Sequence, residues 1–254
     1  MLRVAKVTVL VVLLGGCVSV NTQGGTWTTE ARANLQTRLG MSYLKLGRLE
    51  PATEALAKAL TISPNNSNAH HSMALLQLRL NDVEAAERHF LRAVKSGSGN
   101  YSARNDFGGY LCKMDRIDEG LAQFRKAQNN PYNAALYISQ LGAGMCYLRI
   151  AKWVEAEQLI SEALKSRPKL GMALYQMGRI SYARGQHFRA RGYLQRLFDM
   201  DTRSAESLAL AVRNELKLGA KDLVKRYAQQ LRSEFPGSAE SRGCLLYTSP
   251  SPRD

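Results

Sequence analysis

The chain has 254 residues, with 35 Lys and Arg against 21 Asp and Glu, so its formal net charge is +14. That balance selects acidic partners: anionic lipid headgroups, acidic protein segments or cell-wall polymers. Aromatic residues are sparse, with no stacked-aromatic motif and no concentrated Lys/Arg run, which argues against nucleic acid; abundant Ala and Leu favour helix.

At the N-terminus, a basic start with Arg3 and Lys6 precedes an apolar run from Val7 to Leu14, followed by Gly15, Gly16 and Cys17. This is the layout of a secretory signal peptide. The run is too short for a membrane-spanning helix, which needs about 20 apolar residues. Leu14-Gly15-Gly16-Cys17 resembles the lipobox of bacterial lipoproteins, cleaved just before the cysteine. The resemblance implies a signal peptide over 1–17 and a lipid, palmitate included, on Cys17. Val18 in place of Asp after the cysteine implies sorting to the outer membrane, with the protein facing the periplasm. Residues 18–32 are polar, contain Gly24-Gly25 and Trp27, and read as a flexible tether with a root-mean-square span of about 20 Å.

Self-similarity begins at Leu39-Gly40, with Tyr43, Ala52, Ala59 and Pro64 following. The frame recurs as Ala74, Ala86, Phe90 and Ala93, then as Phe107-Gly108, Gly120, Phe124 and Ala127. After a two-residue insertion near Pro131-Tyr132 it returns as Ala143-Gly144, Tyr147, Ala156, Ala163 and Pro168, then Met177-Gly178, Ala190 and Leu194. A looser copy has Val212, Gly219, Ala228, Leu231 and Pro236. This is the tetratricopeptide pattern, a 34-residue helix–turn–helix in which small residues let helix A approach helix B. Six units result, 33–66, 67–100, 101–136, 137–170, 171–204 and 205–238. They predict an all-α, right-handed superhelical solenoid with the A helices on its concave side. The sixth, with Lys217, Lys221, Lys225 and Arg226, reads as a terminal cap. Residues 243–254 (GCLLYTSPSPRD) break the pattern and read as a non-native or disordered tail, resembling translated sequencing adapter.

No catalytic constellation emerges. His70 and His71 are adjacent, so their side chains diverge; His89 and His187 lie elsewhere, and none has zinc-ligand spacing with cysteine. Glu84 and Glu87, and Glu155 and Glu157, read as solvated B-helix faces. Cys112 and Cys146 fall in different units at non-equivalent positions and read as two unbonded, partly buried apolar side chains. A non-enzyme with no metal, cofactor or small-molecule substrate is the expectation.

Concave positions 2, 5, 9, 12 and 13 of helix A, taken from the repeat frame, give a basic row at Lys45, Arg79, Lys113, Arg149 and Lys217. Ala183 interrupts the row and Arg184 follows it. Beside it runs an apolar floor: Met41 and Leu44, Leu75 and Leu78, Gly109 and Cys112, Met145 and Leu148. A peptide with an apolar face and acidic flanks would suit this groove. Met41 and Leu44 stand out, because the first unit has no predecessor to cover them. The carboxylate-clamp arrangement, with Asn at position 9, is absent.

Lipobox, tether and six repeats together resemble the PilF/PilW lipoproteins of type IV pilus biogenesis. The supporting stretches are RLGMSYLKLGRLEPATEALAKAL, NDFGGYLCKMDRIDEGLAQFRKA and RSEFPGSAES. The resemblance implies a pilotin, which binds secretin subunits and promotes their outer-membrane localisation and multimerisation. The alternative is a repeat-bearing lipoprotein that adapts peptidoglycan enzymes or serves outer-membrane protein assembly.

Overall fold

The computed structural model describes residues 28–248, so Cys17 and the signal segment lie outside it, as do 249–254. The described residues form helices and no strands. They pair as α1 (Thr29–Lys45) with α2 (Leu49–Ile62), α3 (Ser67–Arg79) with α4 (Val83–Ser96), and α5 (Tyr101–Lys113) with α6 (Ile117–Gln128). The series continues with α7 (Leu136–Arg149) and α8 (Trp153–Ser166), α9 (Gly171–Ala183) and α10 (His187–Phe198), and α11 (Ala205–Lys217) and α12 (Lys221–Glu234). A last helix, α13 (Ala239–Thr248), packs on α11 and α12. It continues to Thr248, so helical backbone runs into the segment that the sequence marked as a tail.

Each A helix stops in the same way. The residue two past its end has a positive φ: Gly47, Asn81, Asp115, Ala151, Gly185 and Gly219, at +54 to +72° with Asp201 of a later loop included. The next amide reaches back, as Arg48 N–H donates to the Tyr43 carbonyl at 2.9 Å and Gln186 N–H to Ser181 at 2.8 Å. This is a Schellman closure, which satisfies carbonyls the helix would otherwise leave open and reverses the chain into helix B. Within a pair, contact is set by missing side-chain volume. A Cβ on Gly40 would lie 2.6 Å from Leu56 Cγ, and one on Gly144 would lie 2.6 Å from Ile160 Cγ1. Leu56, Phe90, Phe124, Ile160 and Leu194 fill the equivalent place in successive B helices, each almost wholly buried.

Neighbouring A helices touch, α1 with α3, α5 with α7 and α9 with α11, while no comparable contact joins B helices. The array therefore curves as a tetratricopeptide superhelix with the A helices inside. Ion pairs stitch repeats together. Glu87 meets Arg116 at 2.6 Å, Glu157 meets Arg184 and Arg189, and the buried Glu215 meets Arg191. Glu87 and Glu157 are thus inter-repeat clamps and not solvated faces, because each lies where the next repeat's turn delivers an arginine.

Cys112 and Cys146 form a disulfide with 5.7 Å between their Cα atoms, against the expectation of two free thiols. Non-equivalent positions are no barrier, because α5 and α7 lie side by side with an axial offset. Position 12 of one faces position 10 of the next. The same two-residue offset brings the Ser139 hydroxyl, at position 3, to the Asn105 side-chain oxygen, at position 5, at 2.7 Å. Room for the bridge comes from Gly120, where a Cβ would sit 2.4 Å from the Cys112 sulfur.

Candidate functional site

The basic row sits in the last turns of the A helices: Lys45, Arg79, Lys113, Arg149 and Lys217 are all exposed. A cation there also offsets the negative end of its helix dipole. Arg149 pairs with Asp115 at 2.5 Å. None of the ion pairs recorded among the described residues involves Lys45, Arg79, Lys113 or Lys217.

The apolar floor divides. Leu44 is 5 % exposed and packs with Ala52, Leu56, Met73 and Leu76. It is core, not groove, because position 12 of α1 points at the junction with the second repeat. Met41, Leu75 and Leu78 are half-buried against core clusters. Only Met145, 38 % exposed, stands free, with Leu148 half-buried beside it.

Those two residues lie in a concave pocket of about 380 Å³ between α5, α7 and α9. Lys113, Met145, Leu148 and Arg149, all legible from the repeat frame, converge there. The disulfide lies in the floor, together with the ring of Phe124 from helix α6. That ring is reachable because α7 carries glycine above it: a Cβ on Gly142 would fall 2.3 Å from Phe124 Cε1. Gln176 and Arg179 of α9 complete the rim, with Arg179 donating to the Gln176 side-chain oxygen at 2.9 Å. Sequence reasoning missed Phe124, Gly142, Gln176 and Arg179. Arg179 was within reach, since it holds position 9 of its repeat; Phe124 was not, since a B-helix side chain shows in the groove only where the A helix has no side chain.

The arrangement is an apolar, sulfur- and ring-lined hollow flanked by three cations, Lys113, Arg149 and Arg179. Such a lining can hold an apolar group with anions beside it. Among the described residues no cluster of three or more His, Cys, Asp or Glu is placed to hold a metal ion. His70 and His89, which the sequence set apart, do meet, with their Nδ1 atoms 2.9 Å apart, but at the junction of α3 and α4 and away from the pocket.

Residues 33–66 and 172–199 each match a tetratricopeptide repeat family model. The type IV pilus assembly protein PilF of Pseudomonas aeruginosa is 27 % identical over 242 residues, covering 94 % of this chain and 96 % of that protein. The chain is homologous to the tetratricopeptide-repeat proteins of type IV pilus biogenesis. The crystal structure of PilW, described as a widely conserved type IV pilus biogenesis factor, superposes with a TM-score of 0.78 at 26 % identity, over 84 % of this chain and 98 % of that one. A Pseudomonas aeruginosa PilF structure gives a TM-score of 0.79 at 23 % identity, over 86 % and 99 %, and shows the shared fold.

Proposed function

We propose that this homologue of PilF and PilW is an outer-membrane lipoprotein of type IV pilus biogenesis. It acts as a pilotin: Cys17 carries the lipid, and the groove holds secretin subunits while they travel to the outer membrane and assemble. The observation that carries the reading is the pocket between α5, α7 and α9, in a chain that matches a pilus assembly protein almost end to end. A hollow of this kind suits one bulky apolar side chain of a partner, and Lys113, Arg149 and Arg179 suit carboxylates on either side of it. Aromatic and aliphatic anchors in such pockets dominate binding energy, while surrounding charges set orientation and encounter rate. No helix among the described residues is long and apolar enough to cross a membrane, and the lipid on Cys17 supplies the attachment.

The test is fractionation of cells carrying the wild type or Cys17→Ala as sole copy, with the secretin followed by immunoblot. The expected result is that Cys17→Ala leaves the acyl label off the protein and the secretin depleted from the outer membrane, with few multimers. Normal secretin multimers in the outer membrane of cells lacking the protein altogether would overturn the pilotin reading.

A further inference from the structure

Helix α1 differs from the other A helices in having no repeat before it among the described residues. Leu35 and Leu39 are 50 % and 41 % exposed, whereas Ala69 and Met73, which hold the same places one repeat later, are buried. Leu46, 73 % exposed, extends the line. Between them Ser42 turns its hydroxyl inward to the Arg38 carbonyl at 2.9 Å. Residues 35, 39, 42 and 46 therefore make one stripe along the helix. At about 100° per residue, Arg32 falls on one side of the stripe and Arg38 and Lys45 on the other. All three are exposed, and no ion pair recorded among the described residues involves them. The one acidic residue of α1, Glu30, is engaged elsewhere, with Asn66 Nδ2 at 2.7 Å and Ser63 Oγ at 3.2 Å. At the other end of the solenoid the equivalent face is closed by α13, which packs on α11 and α12.

We infer that this leucine stripe, with Arg32, Arg38 and Lys45 around it, docks on an anionic lipid surface, the membrane that holds the acyl chains of Cys17. The inference rests on the lipid-anchor reading of Cys17. Leucines flanked by cations are the composition of a helix that lies in a membrane interface. Chain length adds the second argument. Residues 18–27 cannot place Cys17 more than about 40 Å from Thr28, whatever their path. The anchor therefore holds α1 near the bilayer at high effective concentration, so that a contact too weak to bind alone becomes populated. Docking fixes the solenoid on its first repeat and leaves the pocket of the third to fifth repeats projecting away from the lipid.

The experiment uses the acylated mature protein in vesicles of phosphatidylethanolamine with or without phosphatidylglycerol. A spin label is placed at Leu39→Cys in a Cys244→Ser background, with a control label at Phe188→Cys. Intact mass of the N-terminal peptide reports acylation independently, so loss of the anchor and loss of docking are told apart. The expected result is that the label at 39 becomes shielded from an aqueous nickel relaxant and accessible to oxygen in the anionic vesicles. The label at 188 should stay aqueous, and Arg32→Glu with Arg38→Glu should reverse the shielding at 39. An acylated protein whose label at 39 stays aqueous in anionic vesicles overturns the proposal. So does shielding already complete without vesicles, which would assign the stripe to residues 18–27, and so does spin–spin broadening at 39, which would assign it to a second copy.

Discussion

At the scale of single residues, the buried polar chemistry is structural. His70 is 2 % exposed, and its Nε2 lies 2.9 Å from the Pro64 carbonyl, which can only accept, so that nitrogen carries the proton. Its Nδ1 must then accept, and the facing Nδ1 of His89 must donate. One of the two Nδ1 atoms must stay unprotonated, so the two rings cannot be charged together. Burial, then the charges of His70, Arg92 and Arg88, holds His89 at about 4, and burial also lowers His70. Between the unfolded value near 6.5 and about 4 the unfolded chain binds more protons than the folded one, so stability falls as pH falls through that window. Urea unfolding at pH 7 and pH 4.5 should show His89→Gln losing less stability on acidification than the wild type; equal losses would remove the histidine pair as the cause. The disulfide is the other residue-scale device. Closing a loop of sequence separation 34 should contribute about 3–4 kcal/mol by the chain-entropy relation. Cys112→Ser with Cys146→Ser should lower the unfolding free energy by about that amount, with helicity retained; an unchanged midpoint would contradict it.

At the scale of elements, the repeat was legible because each helix pair needs the same small residues at the same crossings, and Gly40, Ala52 and Gly144 report that requirement directly. The side on which a residue of helix A falls was less legible. Leu44 and Leu148 share position 12, yet Leu44 is core and Leu148 lines the pocket. The difference comes from what the neighbouring repeat offers. Met73 and Leu76 close over Leu44, whereas around α7 the glycines at 109 and 142 leave space. The disulfide stayed hidden for a related reason, since a frame aligned by sequence does not show the axial offset of adjacent helices. The A-to-B turns offer a sharper test. Ala151 holds a φ of +55° where three sister turns have glycine. A left-handed Cβ-bearing residue costs about 1–2 kcal/mol, part of which glycine returns as unfolded-state entropy. Ala151→Gly should therefore stabilise the protein by about 0.5–1 kcal/mol in equilibrium unfolding, and a destabilised variant would show that the turn is not strained.

At the scale of the whole molecule, the solenoid presents two separate surfaces. One end carries the leucine stripe of α1, and the concave middle carries the pocket. The basic excess of the chain is expressed at both, around the stripe as Arg32, Arg38 and Lys45 and around the pocket as Lys113, Arg149 and Arg179. The fold was readable from periodicity, and the basic row from the repeat frame. The location of the pocket was not legible in the sequence, because it depends on absent side chains, a bridging disulfide and a ring contributed from the outer layer. The most direct measurement is binding of the purified periplasmic region of the secretin to residues 18–248 and to the Met145→Glu, Lys113→Glu double variant, by calorimetry, with thermal melting recorded in parallel. Both side chains are exposed, so the melt should be unchanged while affinity falls at least about tenfold, equivalent to about 1.4 kcal/mol. Unimpaired binding by a normally folded variant would contradict the assignment of the pocket as the secretin site.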